Sequence, residues 1–183
     1  CPSILSEFSR IHDAHLIHAS TIAVNNLEDK LIGHQSDIKP VNDYGKSKLL
    51  AEKMIKASGC NNTILRLGGI FGMNGPSHLE LNNAIKNVVN GKSPILKGDG
   101  VAKRNYIYVL DVARAILKCI ECNIKGIHYL GGEVKSIKSM LTDICKILNP
   151  ETELETIKGP KMQDQIVQKS NYFDVTPFKT ALN

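Results

Sequence analysis

Residues 43–69 read DYGKSKLLAEKMIKASGCNNTILRLGG, and this stretch decides the fold class. Its first sixteen residues predict an amphipathic helix over 43–58, which begins at a cap on Asn42 or Asp43 and ends at Gly59. The apolar run NTILRL predicts a buried strand over 62–67 that ends at a pair of glycines. A helix that leads directly into a buried strand is typical of an α/β protein.

The same alternation extends outward in both directions. A short strand is predicted over 14–19, after the end of a helix over 3–11. Downstream, a strand is predicted over 126–130, and glycines again follow it. Alternating helices and buried strands with glycine at the strand ends predict a parallel sheet. Further helices are predicted over 78–90, 109–121 and 137–148, with short extended segments at 95–96, 106–108 and 153–157.

Composition excludes several classes of function. The chain has 183 residues, a formal net charge of +5 and 42% hydrophobic residues, which is ordinary globular composition. No apolar run approaches the ~18 residues of a transmembrane helix, so no membrane partner is expected. Lysines are scattered, and only 5% of residues are aromatic, so nucleic acid is not an expected partner.

Five cysteines without framework spacing indicate reduced thiols and a cytoplasmic protein. His15 and His18 fall on opposite faces of the predicted strand, so no metal site is expected.

Tyr44 and Lys48 are the residues most indicative of chemistry. They lie four residues apart, on one face of the predicted helix. A phenol is a poor base at neutral pH, but a neighbouring ammonium lowers its pKa and makes the pair a general acid/base. Ser20 and Thr21 follow the first strand, and ligands bind at the carboxyl ends of parallel strands. The alternatives are a surface Tyr–Lys pair and a Thr21 hydroxyl that bonds its own backbone.

The segment Tyr44-Gly45-Lys46-Ser47-Lys48, taken with its surroundings, resembles the extended short-chain dehydrogenase/reductases, specifically the nucleotide-sugar epimerase/dehydratase group. The similarity continues in Leu65 to Gly72 and in the Gly98-Asp99-Gly100 turn. It covers most of the chain in ordered blocks: 14–55, 65–72, 91–100, 104–115 and 126–132. The resemblance implies the C-terminal portion of a Rossmann-type parallel sheet plus a small substrate-binding α/β subdomain.

The resemblance also implies roles for individual residues. Tyr44 would be the catalytic acid/base, Lys48 would lower its pKa and hold the nicotinamide ribose, and Thr21 would bond the reacting sugar oxygen. NAD is the implied cofactor, with NADP possible, and Leu67 would join Tyr44 and Lys48 in binding it. A nucleotide sugar is the implied substrate, and Arg104 would grip its diphosphate. The implied substrate-binding residues are Ser20, Gly69, Ile95, Leu96, Arg104, Lys161 and Asp164.

The chain departs from the family pattern at several points. The Gly-rich dinucleotide turn is missing, so the isolated chain is expected to be inactive. Gly69 stands where relatives often have Asn, and Asn25 where they commonly have Tyr. Ile22-Ala23 replaces the acid pair that dehydration needs. Residues 1–75 are interpreted as the catalytic half of the Rossmann-type domain, with its N-terminal cofactor half absent. Residues 76–183 are interpreted as mainly nucleotide-sugar binding, with 101–130 returning to the Rossmann sheet.

These features together predict an NAD-dependent nucleotide-sugar epimerase that inverts C4 of a UDP-sugar through a 4-keto intermediate. A reductase of 4-keto nucleotide sugars uses the same Thr–Tyr–Lys set and is the first alternative. A non-catalytic fragment or binding module is the second. The full-length protein is expected to be a homodimer. The apolar residues Leu49, Leu50, Met54 and Ile55 of the Tyr44 helix are expected either in its interface or packed against the sheet in the core.

Overall fold

A computed structural model describes residues 2–26, 31–157 and 172–181. The helices are α1 (Pro2–Ile11), α2 (Asp43–Ser58), α3 (Glu80–Val89), α4 (Val109–Glu121), α5 (Ile137–Leu148) and α6 (Thr176–Ala181). The strands are β1 (Leu16–Thr21), β2 (Leu31–Ile32), β3 (Asn62–Leu67), β4 (Gly69–Phe71), β5 (Ile95–Lys97), β6 (Lys103–Tyr108), β7 (Gly126–Leu130), β8 (Val134–Ser136), β9 (Glu155–Ile157) and β10 (Tyr172–Phe173). A 3₁₀ helix, Ile22–Val24, follows β1 directly.

The main sheet is parallel and has the strand order β1-β3-β7. Its register places Thr21 beside Leu67 and Leu67 beside Leu130, so the three strands end together. Within the described residues β1 pairs only with β3, which makes β1 an edge strand. The apolar core between this sheet and α4 is formed by Leu65, Leu67, Ile107, Val112, Ala115, Cys119, Leu130 and Phe178. This architecture confirms the predicted α/β class with a parallel sheet.

A second packing unit lies around α3 and α5. Strands β4, β6 and β8 form one sheet, in which β6 runs parallel to β4 and antiparallel to β8, and β5 pairs with β9. The unit has its own core of Leu81, Ala84, Leu96, Ala102, Ile137, Met140 and Leu141. The segment 101–130 therefore contributes β6 to this second sheet and β7 to the main sheet.

The residues predicted to begin and end α2 do so in the structure. Asn42 is the N-cap, since its side chain accepts a hydrogen bond from the Gly45 N–H at 2.8 Å. Gly59 ends the helix in the left-handed conformation, with φ of 70°. The strand predicted over 14–19 lies at 16–21, because β1 pairs with β3 up to the Thr21–Leu67 pair. No helix in the described part of the chain is long and apolar enough to cross a bilayer.

Candidate active site

Thr21 is the last residue of β1 and lies at the carboxyl end of the main sheet. Its Oγ1 caps the short 3₁₀ helix by accepting a hydrogen bond from the Ala23 N–H at 3.2 Å. This is the local bond that the sequence allowed as an alternative. It occupies one lone pair of the oxygen and leaves the hydroxyl proton for a ligand.

The first turn of α2 lies against the segment that follows Thr21. Gly45 makes this approach possible, because a Cβ at this position would overlap the carbonyl oxygen of Ala23. Tyr44, its neighbour, is 57% exposed. The phenol is therefore held close to the end of β1 while it stays accessible to a ligand.

Lys48 ties the next turn of α2 to β1. Its Nζ donates to the carbonyl oxygen of Ala19 at 3.0 Å and lies 5.9 Å from the centroid of the Tyr44 ring. Contacts from α2 thus reach Ala19 on β1, before Thr21, and Ala23 in the 3₁₀ helix, after it. The structure brings Thr21, Tyr44 and Lys48 to one edge of the sheet, and these three residues, which the sequence predicts to be catalytic, are called the catalytic set below.

A buried ion pair lies beneath the catalytic set. Glu52 follows Lys48 by one helical turn, and its carboxylate accepts from Arg66 Nε at 3.1 Å and from Arg66 Nη2 at 2.7 Å. Ser20 Oγ donates to the same carboxylate at 2.5 Å. The side chains of Arg66 and Glu52 are only 7% and 2% exposed. Burial lowers the pKa of Arg66, but the hydrogen bonds and charge of Glu52 outweigh it, so that this pKa is raised.

The ion pair continues into further polar contacts inside the molecule. Arg66 Nη1 donates to the Tyr129 hydroxyl at 2.9 Å, and the single proton of that hydroxyl is shared between Asn25 Oδ1 and Gly33 O, each at 3.1 Å. Asn25 is fully buried. Ser20, Glu52, Arg66, Tyr129 and Asn25 are called the buried network below.

Sequence reasoning did not find the buried network. Two signals pointed toward it. Tyr44, Lys48 and Glu52 are spaced four residues apart on one helical face, and Arg66 is a charged residue inside a strand that otherwise reads as buried. Neither signal identifies the partner, because the Glu52–Arg66 contact depends on how α2 packs against β3.

His18 also lies near this region, on β1. Burial lowers its pKa, the charge of Lys48 lowers it further, and the charge of Glu52 opposes both. Its Nε2 is buried and has no hydrogen-bond partner among the described residues. The imidazole is therefore held in its neutral form at neutral pH.

Four of the residues predicted to bind the nucleotide sugar lie in the second packing unit: Gly69, Ile95, Leu96 and Arg104. Gly69 on β4 lies under the ring of Tyr106, which a Cβ at 69 would overlap. On β5, the Ile95 side chain is 45% exposed, whereas Leu96 is buried in the core. Arg104 on β6 is partly buried, and its Nη1 donates to Lys103 O at 2.8 Å. Burial lowers the Arg104 pKa, and the charges of Tyr106 and Glu80 oppose this.

The remaining predicted site residues are placed as follows. Ser20 directs its hydroxyl into the buried network rather than to the surface. Leu67 ends β3 beside Thr21, and its side chain belongs to the apolar core, so its backbone is the part that faces the sheet edge. Lys161 and Asp164 lie outside the described residues.

The catalytic set fits one end of a dinucleotide cofactor. A lysine ammonium has three N–H groups, and the bond to Ala19 uses one, so Lys48 has donors for a pair of ribose hydroxyls. The pyrophosphate end is different, because it needs a Gly-rich turn that opens a helix. Gly68-Gly69 is the nearest such turn in the described residues, and it leads into β4. The described residues therefore fit the nicotinamide ribose alone.

Comparisons with known proteins identify a family and relatives of this chain. The NAD dependent epimerase/dehydratase family matches residues 3–130. An uncharacterized UDP-glucose epimerase, YtcB, of Bacillus subtilis is 25% identical over 162 residues, which cover 86% of this chain and 49% of YtcB. The chain thus spans about half the length of this curated relative.

Solved structures share the fold. The UDP-N-acetylglucosamine 4-epimerase of Bacillus cereus superposes with a TM-score of 0.83 at 21% identity, covering 99% of this chain and 63% of that protein. The UDP-glucuronic acid 4-epimerase of the same organism, solved in complex with NAD, superposes with a TM-score of 0.80 at 23% identity. The match covers 99% of this chain and 59% of that protein. Because the family match spans well over half of the chain and includes the catalytic set, the chain belongs to the NAD-dependent epimerase/dehydratase family.

Proposed function

We propose that this chain is the catalytic and substrate-binding part of an NAD-dependent epimerase that inverts C4 of a UDP-sugar through a 4-keto intermediate. The observation that carries the proposal is the catalytic set, in which contacts from α2 reach Ala19 on β1 before Thr21 and Ala23 in the 3₁₀ helix after it. The names of YtcB and of the two Bacillus cereus structures, all epimerases of UDP-sugars, support the substrate class.

Each member of the catalytic set has a distinct task. The Tyr44 oxygen takes the proton of the reacting sugar hydroxyl and returns it after the sugar has turned over. Lys48 supplies a positive charge beside the phenol and holds the nicotinamide ribose. Thr21 donates its hydroxyl proton to the reacting sugar oxygen, since its acceptor capacity is partly used by Ala23. When bound, the dinucleotide supplies hydride chemistry that no side chain can provide.

The nucleotide end of the substrate is assigned to the second packing unit. Arg104 is a partly buried guanidinium, which stays charged at all physiological pH values and matches phosphate oxygens in pairs. The exposed Ile95 side chain and the β5 backbone offer an apolar edge for the base. Gly69 contributes only backbone, because the Tyr106 ring occupies the adjacent space. Lys161 and Asp164 remain predicted contacts of the nucleotide.

The test uses the complete protein encoded by the gene that contains this chain. It is incubated with NAD and either UDP-glucose or UDP-N-acetylglucosamine, and anomeric protons are followed by NMR. The proposal expects a C4 epimer with the wild type and none with Tyr44→Phe. Oxidation of NADH or NADPH by a 4-keto sugar, without epimer formation, would instead identify a reductase. If the protein neither turns over the sugar nor binds a cofactor, the non-catalytic module becomes the better account.

We further propose that the complete protein is a cytoplasmic homodimer that assembles through α1 and α2. The two helices pack against each other and leave large apolar side chains in solvent. Ile4, Phe8 and Ile11 on α1 are 69%, 57% and 63% exposed, and Leu50 on α2 is 60% exposed. Ile55, by contrast, is 1% exposed and belongs to the core. An apolar surface of this kind is typical of a subunit interface.

A further inference from the structure

We infer that the buried Glu52–Arg66 ion pair is the positioning device of the active site, because it fixes both the helix that carries Tyr44 and Lys48 and the loop that carries Thr21. The inference rests on the proposed function, since it assigns a task to residues that do not touch the substrate. It concerns side chains that the mechanism above does not use.

The first connection runs to α2. Tyr44, Lys48 and Glu52 occupy successive turns of one helical face. The Glu52 carboxylate accepts two parallel hydrogen bonds from Arg66 on β3, at 3.1 and 2.7 Å. A bidentate guanidinium–carboxylate pair fixes direction as well as distance. The helix therefore cannot rotate or slide on the sheet without breaking this pair, and the positions of Tyr44 and Lys48 follow from it.

The second connection runs to the loop around Thr21, which the network holds at both ends. On one side, Ser20 immediately precedes Thr21 and donates to Glu52 at 2.5 Å. On the other side, Asn25 caps the end of the 3₁₀ helix that Thr21 begins. Asn25 accepts from the Tyr129 hydroxyl, which in turn accepts from Arg66. The Glu52–Arg66 pair thus joins α2, which carries Tyr44 and Lys48, to the loop that carries Thr21.

Stability alone does not account for such a pair. Desolvation of two charges offsets most of their attraction, so that replacing a buried pair with well-packed apolar residues is often neutral or stabilising. Removing one partner alone is strongly destabilising, because a charge is left buried. The role that we assign to this pair is therefore the geometry that it imposes on the two elements it joins. A misplacement of about 1 Å at reacting groups can lower a rate ~100-fold.

The test compares two double variants of the complete protein. Glu52→Leu/Arg66→Met removes the buried pair without leaving an unpaired charge. Lys118→Met/Glu121→Leu removes the exposed pair on α4, whose atoms lie 3.0 Å apart, and serves as the matched control. For each variant we would measure the midpoint of thermal unfolding, the Kd for UDP, and kcat and KM for the UDP-sugar that the wild type turns over.

The inference expects the buried-pair variant to unfold near the wild-type temperature, to bind UDP within about twofold, and to lose about 10- to 100-fold in kcat with little change in KM. The control should match the wild type in every measurement. A buried-pair variant that keeps kcat within twofold would overturn the inference and leave the proposed function intact. A wild type that forms no epimer would overturn both together.

If the double variant loses UDP binding, and so has not folded, Tyr129→Phe decides instead. This change removes one hydroxyl, keeps the ion pair, and disconnects Asn25 from Arg66. The expected result is a several-fold fall in kcat, with UDP affinity unchanged. An unchanged kcat in Tyr129→Phe would show that the loop does not depend on the network.

Discussion

The backbone of Gly45 lies directly against the carbonyl group of Ala23, with no room for a methyl group between them. Gly45→Ala should therefore push α2 away from the end of β1. We expect the free energy of unfolding to fall by about 1–3 kcal/mol, as for other overpacked sites. We expect kcat to fall ~10-fold or more, because Tyr44 moves with the helix. Chemical denaturation and the epimer assay measure the two effects.

Gly33→Ala is the matched control for this change. A Cβ at Gly33 would have no neighbour within 4 Å, so the added methyl group meets open space. Equal effects of the two substitutions would show that the Gly45 contact has no special role.

Lys48 and Lys46 lie two residues apart on α2 and provide a test of the catalytic assignment. Lys48 bonds to Ala19 O beside the catalytic set, whereas Lys46 forms an exposed ion pair with Asp43 at 3.1 Å. Lys48→Met should lower kcat about 100-fold or more, as expected for loss of acid/base activation. Lys46→Met should keep kcat within about twofold of the wild type, because an exposed ion pair contributes little to stability. Comparable losses in both would argue against a specific function of Lys48.

Arg104 should control affinity for the nucleotide. Replacing it with Met removes charge-assisted hydrogen bonds to the diphosphate, and we expect the Kd for UDP to rise about 10-fold or more. Arg104→Lys should recover only part of the affinity, because a lysine lacks the planar fork. Arg114→Met, which removes an exposed pair with Asp111, is the control. Isothermal titration with UDP measures all three, and an unchanged Kd in Arg104→Met would refute the assignment.

His18 should make stability depend on pH. Its folded-state pKa is lowered, chiefly by burial and then by Lys48, so between that pKa and the ordinary value of 6.5 the unfolded chain binds more protons than the folded one. Stability should therefore fall as the pH is lowered through about 6.5 and level off below the folded-state pKa. Thermal unfolding between pH 8 and pH 5 measures this. His18→Gln should flatten the profile, and exposed His12→Gln should not.

The exposed apolar side chains of α1 and α2 should determine the oligomeric state. Phe8→Glu and Leu50→Glu each place a charge on the proposed interface, and light scattering of the complete protein should show a shift from dimer to monomer. Ile147→Glu changes a side chain on α5 that is 77% exposed and should leave the dimer intact. A wild type that is already monomeric would end the homodimer proposal.

The sequence predicted those elements whose signals are local. The helix at 43–58 carries its own cap and its own terminating glycine, and the strand at 62–67 is an unbroken buried run, so both are found at the predicted bounds. Strands β4 and β8 have three residues each, too few for a periodic pattern, and they form only because β6 pairs with both.

The candidate site divides in the same way. Tyr44 and Lys48 share a helix, so their proximity follows from their spacing alone. Adjacent residues of a strand face opposite sides, so Ser20 and Thr21 of β1 point away from each other. Which of the two faces Glu52 depends on how α2 packs on the sheet, and the strand pattern alone does not give that. Ser20 was predicted to contact substrate beside Thr21, and the structure places its hydroxyl on Glu52. Its contact with substrate stays a prediction, as do those of Lys161 and Asp164.

The buried network also bears on how the sheet assembles. Ser20 is aligned with Arg66, and Arg66 with Tyr129, so one row of polar side chains crosses β1, β3 and β7 on a single face. Strand side chains alternate between faces, and a slip of one residue would turn Arg66 into the opposite, apolar layer that holds Leu65 and Leu67. Misaligned pairings of these strands would bury a lone guanidinium and be rejected during folding. The polar row therefore favours the one strand register in which the active site can form.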